Sequence, residues 1–285
     1  MDWRVKTFLS FSKMIQPGWR ANLLFGFFSR ALKLIGPRRA VAMKNTEIVF
    51  PEKTPAERKK IVDDSYDCMV WTGLEIMAMQ RGPLLVDKFN VGVTGMEHIE
   101  RAFERGKGII AISAHIGNWE HCAAWMSRDC RGVGIARYSD SPVQRELIAA
   151  LRDNIGTVTM GKEEPMMRVI KLLKDNGTIG IICDQHAGGE GIEVPFFGIP
   201  TGTVQGAAVF AYLTGAAIIP IYSQRVAPFK IKTLIEPEIE WKKGANRDET
   251  VRGITLKINQ DMERMIRANP GQWLWQHRRW REITP

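Results

Sequence analysis

The centre of the chain alternates between continuous apolar runs and segments in which apolar residues recur with a helical period. Residues 108–114 and 178–183 are mostly continuous apolar runs, which are typical of strands covered on both faces. The segments 119–130, 142–154 and 165–175 have the pattern and length of helices. This alternation predicts an α/β fold with a mostly parallel central sheet and helices on both faces.

The flanking segments extend the same pattern. Thr54 stands three residues before Glu57 and directly before Pro55, an arrangement that predicts a helix with a capping box at its beginning, running to about residue 80. Towards the other end of the chain, residues 217–226 and 230–240 are predicted to form two long strands joined as a hairpin. Residues 248–268 are predicted to form the final long helix.

The N-terminal segment, residues 1–45, stands apart by its charge. The formal net charge of the whole chain is +9, and residues 1–44 hold nine Lys and Arg but one acid. Bulky apolar residues such as Trp3 and Trp19 are interleaved with these bases. The segment is therefore predicted to form amphipathic helices at an anionic membrane surface. The alternative is a buried helix with a solvated basic face. Residues 46–285 are predicted to form the α/β domain.

Composition and motifs exclude several classes of protein. Of the 285 residues, 45% are apolar and 25% charged, as in an ordinary globular protein. Four cysteines without a CxxC pair favour a reducing compartment. The longest uncharged apolar run near the start is residues 21–28, well short of the roughly 20 residues of a spanning helix. Phosphate-loop, dinucleotide, metal-ligand and nucleic-acid-binding patterns are absent from the sequence, so no cofactor, metal or nucleic-acid partner is expected.

His115 follows the strand predicted at residues 108–114 and precedes a predicted helix. Ligands bind at the carboxyl ends of strands in open α/β sheets. Glu120 lies five residues further on, and Gly117-Asn118 breaks the helix that would otherwise point the two side chains apart. The pair is predicted to form a His–carboxylate dyad with His115 as general base. The alternative is a histidine at a strand end and a glutamate at a helix N-terminus, where the helix dipole favours it.

The string His115-Ile116-Gly117-Asn118-Trp119-Glu120 resembles the H-x4-D/E signature of the glycerolipid and lipid A acyltransferase superfamily. It is most similar to the version in bacterial lipid A lauroyl/myristoyl (late) acyltransferases. Further matches follow in the same order along the chain. They are Arg137, Arg152 with Gly156, Asp184-Gln185, the VPFFGIPTGT segment at 194–203 and the WLWQHRRW ending at 273–280. The resemblance covers roughly residues 40–282. It is strong because these five matches occur in the same order as in the family.

The resemblance implies transfer of a fatty acyl chain from an acyl carrier protein thioester to a hydroxyl of a lipid A precursor. His115 would take the hydroxyl proton and Glu120 would orient the imidazole, without a covalent intermediate, cofactor or metal. The expected location is peripheral, at the cytoplasmic face of the bacterial inner membrane, since the family's usual N-terminal spanning helix is not evident. Two alternatives stay open. One is acylation of another lipid, such as a phosphatidylinositol mannoside or an aminolipid. The other is a non-catalytic lipid-binding relative, which the intact His115 and Glu120 disfavour.

Other residues of the matching motifs are expected to contact substrate. Arg137 and Arg152 suit an anionic acceptor phosphate or the phosphopantetheine of the donor, with a surface ion pair as the alternative for each. Phe196 and Phe197 are expected to line an acyl path, with core packing as the alternative. The run at residues 276–279 is interpreted as a basic patch facing the membrane or an acidic carrier protein. The remaining expected polar contacts are Asn118, Asp184, Gln185 and Glu193, the last with an ordinary loop carboxylate as its alternative.

Overall fold

The computed structural model describes residues 1–136, 139–281 and 283. Within these residues the chain forms eleven α-helices and nine β-strands. The helices are α1 (Trp3–Ser12), α2 (Trp19–Ile35), α3 (Arg39–Val49), α4 (Pro55–Met79), α5 (Leu84–Phe89), α6 (Met96–Glu104), α7 (Trp119–Asp129), α8 (Pro142–Ile155), α9 (Met166–Lys174), α10 (Gly206–Thr214) and α11 (Arg247–Ala268). The strands are β1 (Asn90–Thr94), β2 (Ile109–Ser113), β3 (Gly132–Ala136), β4 (Thr159–Gly161), β5 (Thr178–Ile182), β6 (Ile192–Phe196), β7 (Ile199–Thr203), β8 (Ala217–Ala227) and β9 (Lys230–Ile235).

Seven strands form one sheet in the order β1-β9-β8-β2-β5-β3-β4. Neighbouring strands run parallel except β8 and β9, which form the predicted antiparallel hairpin. The remaining two strands, β6 and β7, pair antiparallel with each other. The predicted α/β fold with a mostly parallel sheet is confirmed, as is the capping box in which Thr54 starts α4.

Strand β2 is covered on both faces, as its continuous apolar sequence predicts. Ile110 and Ile112 belong to the core formed with α9, α10 and α11, whereas Ile109 and Ala111 belong to the core on the side of α6 and α7. All four side chains are buried, because successive residues of a strand point to opposite faces. In open α/β sheets, ligands bind at the carboxyl edge of such strands.

The segment between β5 and α10 differs from the prediction. Helix α10 begins at Gly206, and residues 192–203 before it form the β6–β7 hairpin, which the hydrophobic pattern did not predict. The chain reverses at Phe197-Gly198, where the φ angles are 51° and 77°, as a two-residue hairpin turn of type I′ requires. The sequence concealed this hairpin because Pro195 and Pro200 are residues that strands disfavour.

Helix α2 packs with one face on α4. The rings of Phe25 and Trp71 stack with centroids 4.4 Å apart, and Ser29 Oγ donates a hydrogen bond to Asp67 at 2.5 Å. The predicted division of the chain into residues 1–45 and 46–285 stays a prediction. Helix α3 includes residue 45 and continues to Val49. In the part of the chain that the structure describes, no helix combines the length and apolarity needed to cross a membrane.

Candidate active site

The site forms where two neighbouring parallel strands end. Strands β2 and β5 pair in a register that sets Ser113 opposite Ile182, and His115 and Asp184 each lie two residues further on. Their side chains meet at the carboxyl edge of the sheet, with His115 Nδ1 2.8 Å from Asp184 Oδ1. The backbone N–H of His115 also donates to Asp184 Oδ2 at 2.9 Å. Asp184 was expected to contact substrate, but the structure makes it the partner of the histidine.

Asp184 is buried and fixes the protonation of the imidazole. It is 2% exposed, and Trp273 Nε1 donates to its Oδ2 at 2.7 Å. Burial alone would raise the pKa of this carboxyl, but the charge and hydrogen bonds of His115, with the indole N–H, lower it to about 2. Because an ionised carboxylate only accepts hydrogen bonds, Nδ1 of His115 carries the proton. The lone pair of Nε2 is then left for a substrate.

The surroundings of His115 also strengthen it as a base. Burial disfavours the imidazolium, but the charge of Asp184 and its hydrogen bond outweigh burial and raise the pKa of His115. The charge of Glu120 adds to this rise. Trp119 packs against the imidazole with ring centroids 5.0 Å apart, and 18% of the His115 side chain stays exposed. The ring is therefore held on two sides and open to a ligand.

Glu120 has a different direct partner from the one predicted. Arg152 donates to both of its carboxylate oxygens, from Nε at 3.0 Å and from Nη2 at 2.8 Å. Because α7 begins after Asn118, Glu120 lies in the first turn of that helix, within reach of α8, which carries Arg152. Asp184, not Glu120, makes the orienting contact with the imidazole of His115. The ion pair considered as the alternative for Arg152 is present.

A tight turn joins β2 to α7 directly after His115. Gly117 has a φ angle of +61°, and a Cβ there would lie 2.0 Å from the carbonyl oxygen of Ser223, so only glycine fits. The N–H of Gly117 donates to the carbonyl of Gln272 at 3.1 Å, and its own carbonyl accepts from Thr72 Oγ1 at 2.8 Å. The turn is held from both sides, which fixes the imidazole relative to the sheet.

Asn118 is fully buried, and its side chain hydrogen-bonds to groups inside the protein. Its Oδ1 accepts from the backbone N–H of His121 at 3.0 Å and so caps α7, while its Nδ2 donates to Glu75 Oε2 at 2.9 Å. Glu75 also accepts two hydrogen bonds from Arg225, each 2.8 Å long, within a pair whose side chains are 0% and 7% exposed. Asn118 was expected to touch substrate, but its placement makes it a support for the loop of His115.

Phe196 lies in an aromatic cluster rather than along an open path. It is fully buried, and its ring centroid is 5.6 Å from that of Trp280 and 6.1 Å from that of Trp273. Phe197 is half-buried against it, with centroids 4.9 Å apart. The alternative of core packing therefore describes Phe196, whereas the expected contact of Phe197 with an acyl chain stays a prediction.

The run at residues 276–279 does not form the predicted basic patch. Arg279 is fully buried, and its guanidinium donates to two groups of β7, at 2.6 and 2.7 Å. His277 is neutral at physiological pH, because burial lowers its pKa to about 4, and its Nε2 accepts from the backbone N–H of His186 at 3.0 Å. Arg278 is the exposed base of this run.

Three further substrate contacts remain predictions. Arg137 lies outside the described residues. Gln185 is half-buried beyond β5, and its carbonyl oxygen lies 3.4 Å from Arg279 Nη1. Glu193 is exposed on β6. Among the described residues, no group of three or more His, Cys, Asp or Glu side chains is arranged to hold a metal ion.

A narrow apolar cavity lies between α7 and the sheet. Its lining includes Arg152 and Trp119, the residue that packs against the imidazole of His115. Small residues of β3 and β5, including Gly134 and Gly180, leave its space open. Its volume is about 60 Å³. The cavity could not be predicted from the sequence, because its lining comes from separate strands whose small residues carry no local pattern.

Fold and site together define the class of this protein. An imidazole at the carboxyl edge of a parallel sheet, partly exposed and with Nδ1 on a buried carboxylate, suits an enzyme that removes a proton from its substrate. The family model for bacterial lipid A biosynthesis acyltransferases matches residues 2–282. The chain belongs to this family, which confirms the resemblance seen in its motifs, and it is an acyltransferase.

Relatives within the family differ in the lipids and acyl chains that their names give. The chain is 26% identical over 263 residues to the lipid A biosynthesis lauroyltransferase of Escherichia coli (strain K12), covering 90% of this chain and 83% of the relative. It is 25% identical over 248 residues to the lipid A biosynthesis palmitoleoyltransferase of the same organism, covering 86% and 79%. It is also 25% identical over 189 residues to a phosphatidylinositol mannoside acyltransferase of Mycobacterium tuberculosis (strain ATCC 25618 / H37Rv), covering 64% and 57%.

Proposed function

We propose that this acyltransferase moves a fatty acyl chain from an acyl carrier protein thioester to a hydroxyl of a lipid A precursor, with His115 as general base. The observation that carries the proposal is the 2.8 Å contact of His115 Nδ1 with the ionised Asp184. This contact leaves Nε2 as the basic atom at an accessible edge of the sheet. The names of the lauroyl and palmitoleoyl relatives support the acceptor and the type of acyl group.

The proposed reaction uses one base and no covalent enzyme intermediate. Nε2 of His115 takes the proton of the acceptor hydroxyl while the hydroxyl oxygen attacks the carbonyl carbon of the thioester. The new C–O bond forms, the C–S bond breaks, and the imidazolium gives the proton to the leaving thiolate. Asp184 stabilises the imidazolium between these transfers. A positioned base of this kind contributes about 10²–10⁴-fold to the rate.

Arg152 is the proposed contact for an anionic group of the substrates. Its side chain is 20% exposed, it lines the cavity beside Trp119, and the bidentate pair with Glu120 holds it there. A guanidinium matches the geometry of a phosphate, which both the phosphopantetheine of the donor and a phosphorylated lipid supply. The apolar cavity is the proposed site of the acyl chain, because burying each methylene contributes about 0.8 kcal/mol.

Mass spectrometry tests the reaction directly. Purified protein is incubated with a mixed pool of acyl carrier protein thioesters and a lipid A precursor, and the product should gain the mass of one acyl chain. His115→Ala should lower turnover by about 10²–10⁴-fold. His98→Ala, a matched change on α6, should leave turnover unaltered. Wild-type turnover in His115→Ala would remove the general base from the proposal.

The same assay discriminates between acceptors. The mannoside acyltransferase among the relatives gives a reason to offer phosphatidylinositol mannoside in a parallel reaction. A product with that lipid alone would replace the lipid A precursor as acceptor and keep the chemistry. If every donor and acceptor fails while the protein binds vesicles, the proposal is overturned in favour of a lipid-binding relative.

We further propose that α2 holds the enzyme at the cytoplasmic face of the inner membrane. Trp19, Leu23 and Phe27 recur every four residues, so they share one side of the helix, and they are 63–67% exposed. Exposed Arg20 and Arg30 on the same helix suit anionic headgroups. Apolar side chains of this size contribute about 1.5–3 kcal/mol each when buried, so the stripe favours a lipid surface over water.

Vesicle co-sedimentation tests the membrane contact. The variant Trp19→Ser, Leu23→Ser, Phe27→Ser should lose binding to phosphatidylglycerol vesicles, while Met167→Ser, which changes an equally exposed residue on α9, should keep it. Activity of the triple variant on detergent-dispersed acceptor serves as the control for folding. Unchanged sedimentation of a folded triple variant would contradict this role of α2.

A further inference from the structure

Two residues of α7 that lie about two helical turns apart line the apolar cavity. Met126 lines the cavity from α7, seven residues after Trp119, which is about 10 Å along the helix axis. It is buried, with 4% exposure. Trp119 contacts the catalytic imidazole of His115, so the two residues mark the near and far positions of one apolar space.

Two glycines make room for the thioether of Met126. A Cβ at Gly180 would lie 2.4 Å from Met126 Cε and 2.8 Å from its Sδ, and a Cβ at Gly132 would lie 2.7 Å from its Cγ. The end of the methionine therefore occupies space that side chains on these strands would fill. Any larger residue at Gly180 must push the thioether back towards the cavity.

We propose that Met126, seated against Gly180, sets the length of the acyl chain that the enzyme accepts. This inference rests on the proposed function, since it takes the cavity as the site of the donor's chain. The cavity of about 60 Å³ holds only a few water-sized groups at about 10–15 Å³ each. A longer chain must displace the methionine, whose unbranched side chain is mobile enough to move by a limited amount. The extent of that movement fixes how many methylenes fit.

Substitutions at the two positions should change chain length in opposite directions. Met126→Ala removes the barrier and should shift the preferred donor to longer chains. Gly180→Ala forces the thioether into the cavity and should shift the preference to shorter ones. Burial of each methylene corresponds to about a four-fold preference. The ratio of rates for two donors that differ by two methylenes should therefore change by about 15-fold in each variant.

The experiment is a competition among saturated acyl carrier protein thioesters from decanoyl to palmitoyl, with products resolved by mass. Met167→Ala, an exposed methionine on α9, is the matched control and should keep the wild-type profile. Thermal melting checks that each variant is folded, and if Met126→Ala melts early, Gly180→Ala and Met126→Leu still test the direction of the shift.

The outcomes separate this inference from the function on which it rests. Opposite shifts in the Met126 and Gly180 variants support it. Active, folded variants with the wild-type chain profile overturn the assignment of Met126 and leave the proposed reaction standing. Wild-type protein that transfers no acyl chain from any donor overturns the proposed function itself.

Discussion

Replacing Asp184 with asparagine tests the central feature of the site. The change preserves the size of the side chain but replaces one oxygen with an NH₂ group. The single remaining oxygen can still accept from the His115 backbone N–H and the Trp273 indole, which now share Oδ2 at 2.9 and 2.7 Å. The NH₂ group then faces His115 Nδ1. Because that group donates, the proton of the imidazole moves to Nε2, and Nε2 loses its capacity to act as a base.

The expected loss follows from the charge of Asp184 as well as from the tautomer. Its pKa falls from 3.8 to about 2, which corresponds to about 2–3 kcal/mol of interaction with its partners at about 1.4 kcal/mol for each pKa step. The imidazolium supplies only part of this interaction, so its loss lowers the rate by up to about 10²-fold, and the unfavourable tautomer extends the loss towards the 10⁴-fold end of the range for base catalysis.

The assay is acyl transfer followed by mass spectrometry as a function of pH. In the wild type, turnover should rise with pH as His115 loses its proton, at a pKa that Asp184 holds above the ordinary value. In Asp184→Asn the negative charge is gone, so the residual activity should persist to lower pH. Asp261→Asn, which changes a carboxylate bonded to Tyr222 Oη at 2.7 Å, is the matched control. A folded Asp184→Asn enzyme with turnover within about three-fold of wild type would refute the tautomer argument.

Three further predictions concern groups around the site. Glu120→Gln should loosen the bidentate hold on the guanidinium of α8 and raise KM for the donor more than it lowers kcat; an effect confined to kcat would contradict this. Arg225→Met should reduce the free energy of unfolding in urea by about 3–5 kcal/mol, since it leaves the buried charge of Glu75 unpaired; a change below about 1 kcal/mol would contradict the pair's importance. His121 has a pKa lowered by burial to about 4, below that of the unfolded chain. The unfolded state therefore binds the proton more strongly, and stability should fall by about 2 kcal/mol between about pH 7 and pH 5. In urea titrations at both pH values, the free energy of unfolding of His121→Gln should fall less between the two than that of the wild type. An identical fall in wild type and variant would contradict the role of His121.

The strands and helices were predictable where one hydrophobic or capping pattern extends over a whole segment. The apolar run before His115 and the capping box at Thr54 both specify their elements locally, and both are confirmed. The partner of His115 was harder to predict, because H-x4-E spacing directs attention to Glu120 along the chain. The register of two parallel strands decides the contact instead. A usable signal was present: His115 and Asp184 stand at the same distance beyond two buried runs.

Other features of the site depend on pairs that the sequence separates widely. Glu75 and Arg225 are 150 residues apart, and neither lies in a motif that marks it as one of a pair. Trp273 contacts Asp184 from the C-terminal ending, where the sequence indicated a basic patch. Arg279 could be buried there because the β6–β7 hairpin and its aromatic neighbours surround the guanidinium. These contacts arise from tertiary packing, which local spacing does not encode.

Helix α4 links the proposed membrane surface to the loop of His115. Its residues Asp67 and Trp71 contact α2, whereas Thr72 and Glu75 hold the turn that follows the histidine. Neighbouring positions on one helix point to different sides, so a single packed element fixes both surfaces. If α2 rests on the membrane as proposed, the height of the imidazole above the lipid is set by α4 rather than by a mobile connection. A lipid acceptor can then keep its existing chains in the bilayer while its hydroxyl reaches Nε2, and only the new chain needs a cavity inside the protein.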